Sequence, residues 1–231
     1  MFAQETLILI PTHAEATGLL AVPPIGRSHV TVAELGGRPR AVLTGFGLAA
    51  AGTLTARHLG TLRPKQCLLV GLAGTLDVER APIGSVFAVN SVESDGIGVG
   101  QGDAHQGVDS LGFVQAPGLT GHSLSLTIPS CWSGPSGVTC SVASASEHTE
   151  QARGVRSRHT TASLEDMETW AVALACRDAG VPLTVLRSVS NEAGVRDWAQ
   201  WEFDLALKNL QQAMHTLFSS NGAGGEASAS A

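Results

Sequence analysis

The stretch METWAVALACRD, residues 167–178, is followed after Gly180 and Pro182 by LTVLRSVS, residues 183–190. The first run has no Gly or Pro inside it and is apolar on nearly every side, so it reads as a buried helix. The second is rich in aliphatic and β-branched residues, which reads as a strand of a sheet covered on both faces. A buried helix feeding a buried strand through a short Gly/Pro turn is the repeating unit of an α/β sheet. Working outward, strand-like runs recur at residues 6–10, 41–44, 67–70, 85–89 and 137–142, and a second Ala-rich helical run covers 48–59. The expected fold is one α/β domain over residues 1–218, a three-layer α/β/α arrangement around a mixed, mostly parallel sheet. An all-β sandwich is excluded by the two long Ala-rich runs.

Two regions break the alternation. Residues 94–136 are rich in Gly, Ser, Pro and Asp, and are expected to form long loops over one sheet edge. Residues 219–231 are Ser, Ala and Gly with a single charge, and are expected to be a disordered tail.

Composition excludes several functions. The 231-residue chain has 14 Lys and Arg against 20 Asp and Glu, a formal charge of −6, with aromatics at only 4% and no Tyr. That balance argues against a nucleic-acid partner, which needs a basic stripe or stacking rings. The four cysteines are scattered without a C-x-x-C spacing, and the eight histidines form neither H-x-H nor HExxH. No metal and no cofactor are therefore expected, nor a disulfide framework. No apolar run reaches the roughly 20 residues of a membrane span. The first apolar run lacks a basic flank, so no signal peptide is read and a cytoplasmic location is expected. Asp103, His105 and Asp109 fall in the loop region and are expected to be solvated.

In a doubly wound sheet a ligand sits beyond the carboxyl ends of the strands. Residues 6–10 are followed by Pro11-Thr12-His13-Ala14-Glu15, and residues 41–44 by Gly45-Phe46-Gly47. Residues 67–70 are followed by Gly71-Leu72-Ala73-Gly74, and residues 183–190 by Asn191 and Gly194-Val195-Arg196-Asp197-Trp198. The helix at 167–178 runs back before the last strand, which brings Asp166 and Glu168 to the same rim as Asn191. Carboxylates, an amide and Gly turns thus converge as a small-molecule site requires. Glu168 stands out, because an unpaired carboxylate in so apolar a segment is costly.

The same residues carry a resemblance. Gly-Leu-Ala-Gly at 71–74, Glu-Asp-Met-Glu at 165–168 and Arg-Ser-Val-Ser-Asn at 187–191 together resemble the purine nucleoside phosphorylase and nucleosidase superfamily, over roughly residues 6–215. Ser-Asn-Glu-Ala-Gly-Val-Arg-Asp-Trp at 190–198 and Asp-Gly-Ile-Gly-Val-Gly at 95–100 are most similar to its futalosine hydrolase branch. That branch releases hypoxanthine from futalosine in menaquinone biosynthesis. By position, the resemblance implies that Glu15 activates water and that Glu168, after Met167, binds the ribose hydroxyls. It implies that Ala73 and Gly74 wall the ribose, with Gly47, Asp166, Met167 and Ser190 also contacting substrate. Asn191 stands where adenine-specific nucleosidases carry an aspartate. An amide cannot supply a proton, so Asp197, or a water it holds, is the expected acid. The superfamily also implies a homo-oligomer. Departures are Leu72 in place of Ser, Thr169-Trp170 after Met-Glu, and Ala145 where a base-stacking Phe is usual.

The implied chemistry is cleavage of a purine N-glycosidic bond by water. Rival readings are a methylthioadenosine nucleosidase, a phosphorylase on the same fold and a silent nucleoside binder. A phosphorylase would want Arg or Lys near its phosphate, and residues 45–52 contain neither.

Overall fold

The computed structural model describes residues 6–20, 33–34, 40–100, 102–119 and 121–219. Along the chain run β1 (Thr6–Ile10), α1 (His13–Leu19), β2 (Ala33–Glu34), β3 (Arg40–Leu43), α2 (Leu48–Leu62), β4 (Gln66–Thr75) and β5 (Val86–Asp95). Then come β6 (Gly98–Val99), β7 (Gln106–Gly107), α3 (Val108–Leu111), β8 (Ser123–Ser125), β9 (Ser136–Val142) and α4 (Thr149–Arg158). The chain continues through β10 (Ala162–Asp166), α5 (Thr169–Asp178), β11 (Leu183–Glu192) and α6 (Phe203–Ser219).

Strand β1 shows how the layers are sorted. All five of its residues are buried, and alternation splits the four aliphatic ones between two cores. Leu7 and Leu9 pack with Ala51 and Leu59 of α2 and Trp170, Val172 and Cys176 of α5. Ile8 and Ile10 pack with Ala16 and Leu19 of α1 and Leu210, Met214 and Leu217 of α6. The β1, β4 and β11 region is therefore covered by helices on both faces, as the sequence predicts.

The expectation of a three-layer arrangement needs correction. The sheet is mixed, with the order β10-β9-β5-β11-β4-β1-β3-β2. β4 also pairs antiparallel with β10 through Gly74 and Thr75, which closes β4, β11, β5, β9 and β10 into a five-strand ring. The cause is the length of β4, which runs ten residues where the apolar signal covers 67–70. Its first half pairs with β1, and its far end reaches β10. Gly71-Leu72-Ala73-Gly74 are strand residues, not a turn that follows one.

Region 94–136 also departs from expectation. It holds the end of β5, a β6–β7 ribbon, α3 and β8, which pairs with β5. Polar residues of β5 hid this extension. Ser219 closes α6, and the remainder of the expected tail lies outside the described residues.

Candidate active site

The ring opens on a cavity of about 420 Å³ at the carboxyl ends of β4, β10 and β11. Such a volume suits a small molecule. Its wall takes Leu72, Ala73 and Gly74 from β4, Glu165 and Asp166 from β10, and Ser190 and Asn191 from β11. Of the sequence-expected residues, Glu15, Ala73, Gly74, Asp166, Met167, Glu168, Ser190 and Asn191 all line it.

Glu15 is set by local sequence. Thr12-His13-Ala14-Glu15 forms a capping box at the start of α1, with the Glu15 amide donating to Thr12 Oγ1 at 3.2 Å. Glu15 Oε2 accepts from the Thr12 amide at 3.0 Å and the Thr12 hydroxyl at 2.6 Å. Oε1 accepts the Leu72 amide at 2.9 Å, which ties the helix start to β4. The carboxylate is thereby fixed in orientation, with lone pairs left to accept from water.

Glu168 occupies the N-cap position of α5 and is 5% exposed. Its Oε1 accepts the Gly47 amide at 3.1 Å, and its Oε2 lies 3.4 Å from Arg187 Nη2. Burial pushes its carboxyl up to about 7, the charges of Asp166 and Glu15 add to that, and Arg187 and the Gly47 N–H oppose it. Gly47 does not line the cavity; with φ of 82° it starts α2 and aims its amide at Glu168.

Asn191 and Ser190 both face the cavity because the β11–β4 register shifts between Val189 and Asn191. An irregularity of that kind re-aims neighbours that a regular strand would send to opposite faces. The Ser190 hydroxyl donates to Asn191 Oδ1 at 2.8 Å, and Asn191 Nδ2 donates to the Glu192 carbonyl at 2.9 Å. One amide hydrogen of Asn191 remains for a ligand.

Two expected residues take other parts. Asp197 does not line the cavity; its carboxylate caps the turn Trp198–Gln200 by accepting from the Ala199 amide at 3.1 Å and Gln200 Nε2 at 3.0 Å. Those two donors hold its carboxyl below the usual range. Asp166 lines the cavity, but its oxygens are engaged. Oδ2 accepts from Arg187 Nε at 2.8 Å and from the Thr169 hydroxyl, and Oδ1 accepts the Glu168 and Thr169 amides at 3.3 Å and the Ser141 hydroxyl. It anchors the start of α5.

Sequence reasoning assigned no role to Arg187, which is fully buried in β11. A lone cation inside an apolar strand run was the available signal, since such a charge must find partners. Its guanidinium joins Asp166, Glu168 and Thr169. A Cβ at Gly71 would stand 2.2 Å from Arg187 Nη1 and 2.7 Å from Glu15 Oε1, so only glycine lets both approach β4 there. Glu165 was also missed; it accepts from the Ser146 amide at 2.9 Å and hydroxyl at 2.6 Å, and burial raises its carboxyl.

The mouth is aromatic. Trp198, Trp201 and Phe203 stack with centroids 4.6–5.8 Å apart, Phe46 lies on the rim, and Arg196 sits 5.5 Å over the Trp201 ring. Ala145 is on the wall, where its small side chain leaves room.

A mixed sheet curled around a carboxylate-lined cavity, with ligand groups from strand ends and helix starts, defines an α/β enzyme acting on a small molecule. Residues 10–220 match the family model of the phosphorylase superfamily, and the chain belongs to that superfamily. Relatives include the futalosine hydrolases of Thermus thermophilus, 34% identical over 78% of this chain and 80% of the relative, and Streptomyces coelicolor, 29% identical over 84% of each. Among solved structures, the methylthioadenosine/adenosylhomocysteine nucleosidase of Colwellia psychrerythraea, in complex with adenine, superposes with a TM-score of 0.75 at 18% identity, covering 94% of this chain and 95% of that one. The futalosine hydrolase of Helicobacter pylori gives 0.72 at 18% identity, covering 94% and 98%. At that identity these structures establish the fold alone. Among the described residues, no helix is long and apolar enough to cross a membrane.

Proposed function

We propose that the chain hydrolyses the N-glycosidic bond of futalosine, releasing hypoxanthine. The reading rests on two curated relatives of that activity and on one observation in the cavity: Glu15 and Glu168 face it with their oxygens held by backbone amides. Cleavage passes through a cation-like sugar, which needs an aligned water, a clamp on the hydroxyls and help for the departing purine. Glu15 aligns and deprotonates the water. Glu168, in its ionised form, accepts from the ribose hydroxyls and puts negative charge beside the developing cation. Asn191 bonds the leaving base with its remaining amide hydrogen. With Asp197 turned to capping a turn, the proton for the base comes from solvent.

Water is favoured over phosphate as the nucleophile. Among the described residues, Glu15, Glu165, Asp166 and Glu168 line the cavity against one cation, Arg196, and Arg187 is already engaged by Asp166 and Glu168. A phosphate dianion would be repelled. The aromatic mouth offers apolar surface to a substituent on the sugar. Incubation with futalosine in phosphate-free buffer tests the reaction class. Undiminished release of hypoxanthine supports hydrolysis; strict dependence on added phosphate, with a sugar phosphate as product, overturns it.

A further inference from the structure

Away from the cavity, three side chains distant in sequence meet. Glu93 lies near the end of β5, His122 immediately precedes β8, and His159 follows the end of α4. One ligand-capable atom from each lies within 4.8 Å of the others. Sheet register enforces the meeting. Glu93 pairs with Ser123 across β5 and β8, and the Ser94 amide donates to the His122 carbonyl at 2.9 Å, which sets His122 beside Glu93. On the other side Glu93 pairs with Cys140 of β9, and β9 pairs with β10, whose first residue Ala162 donates to the His159 carbonyl at 3.0 Å.

The direction of each side chain separates this cluster from a chance ion pair. His122 Nδ1 is bonded to Asp109, and its Nε2 is 3.8 Å from Glu93 Oε2. His159 Nε2 lies 2.9 Å from Asp95 Oδ1, and its Nδ1 lies 2.7 Å from the same Glu93 Oε2. Glu93 Oε1 is occupied by the Thr161 hydroxyl, and Asp95 is gripped by Arg158 through two contacts of 2.9 Å. Each of the three residues is thus held by a second partner at its far end, with one ligand-capable atom turned toward the other two. Metal-binding imidazoles have this habit: the nitrogen away from the ion is held by a carboxylate, which fixes ring orientation. Asp109, expected to be merely solvated, takes that part for His122.

We propose that Glu93, His122 and His159 bind one divalent transition-metal ion of the zinc class, with Asp109 and Asp95 as outer partners. Two imidazole nitrogens and one carboxylate oxygen suit zinc or a late first-row ion, and do not suit magnesium or calcium, which take oxygen sets. The Glu93 and His159 side chains are 12% and 7% exposed while His122 is 36% exposed, so the site has one open side for entry and a water ligand. None of the three lines the cavity. The ion fastens the excursion between β5 and β8 to the junction of α4 and β10, a stabilising role separate from base release. No local spacing betrays the site, because its residues are brought together only by strand pairing.

The test uses the full chain, stripped with a chelator and titrated with Zn²⁺ alone in equilibrium dialysis, with the melting temperature followed in parallel. One zinc per chain is expected, with a rise in melting temperature that chelator reverses. Asp109→Asn is expected to weaken binding by roughly 10–100-fold, as loss of an outer partner does, and His122→Ala to weaken it further. His122 is part-exposed, so that variant folds, and circular dichroism checks it. Absence of stoichiometric zinc binding by the wild type overturns the proposal, since His159 is then only a cation between Glu93 and Asp95. Zinc uptake and stabilisation that persist unchanged in His122→Ala overturn it equally.

Discussion

Arg187 Nη2 stands 3.4 Å from Glu168 Oε2, and the guanidinium that makes this contact is fully buried. The same group holds Asp166 Oδ2 at 2.8 Å, so one cation of β11 serves both carboxylates at the start of α5. Removing one partner of such a buried set leaves uncompensated charge. Arg187→Met is therefore expected to cost about 3–5 kcal/mol, read as a lowered midpoint in urea denaturation. A midpoint within experimental error of wild type would show that the carboxylates relax without it.

The elevated carboxyl of Glu168 gives the activity an acid limb. Its neighbours are Arg187 from β11, Asp166 from β10, Glu15 from α1 and the Gly47 amide from α2. A hydroxyl clamp must be ionised, so kcat/KM is expected to rise with pH through about 7, the value to which burial pushes Glu168. The sign for stability is opposite. A carboxyl raised in the fold favours folding below its unfolded value and loses that contribution as pH climbs through about 7. Glu168→Gln should remove the acid limb while lowering the whole profile. An unchanged limb in that variant would assign it to another group.

Glu15→Gln should lower turnover by roughly 10²–10⁴, the range for a lost general base, with KM little changed. The amide keeps one oxygen for the Leu72 N–H but puts a donor opposite the Thr12 N–H, so the loss of that cap should lower the melting temperature modestly. Wild-type turnover would reduce Glu15 to a helix cap.

Much of this site was legible because strand ends are where ligands bind, and the residues after residues 6–10 and 183–190 include Glu15 and Asn191. What escaped did so for physical reasons. β10 is five residues with two acids, ASLED, and its carboxylates are tolerated inside through partners remote from it, Ser146, Ser141 and Arg187, and through the start of α5. The polar end of β5 reads as a loop because its partners β8 and β9 are remote in sequence. α6 was not read from the sequence, although Ala206, Leu210, Met214 and Leu217 recur at helical spacing and are its buried residues. The closure of the ring depends on two register positions at the end of β4, which no local pattern announces.

Asn191 should govern base choice. Hypoxanthine presents an oxygen acceptor at its six position, and adenine presents an amino donor. An amide can donate to that oxygen, whereas an ionised Asp only accepts. Asn191→Asp is expected to narrow or reverse the preference between hypoxanthine and adenine nucleosides, measured as the ratio of kcat/KM values. An unchanged ratio would place base recognition elsewhere on the wall.

The most direct measurement is chromatography of the base released by the wild-type chain from futalosine and from methylthioadenosine, each alone in phosphate-free buffer. The expected result is rapid hypoxanthine release and adenine release slower by up to about 10⁴–10⁵, because the mismatched base leaves a buried polar group unpaired. Adenine released as fast as hypoxanthine would contradict the futalosine assignment.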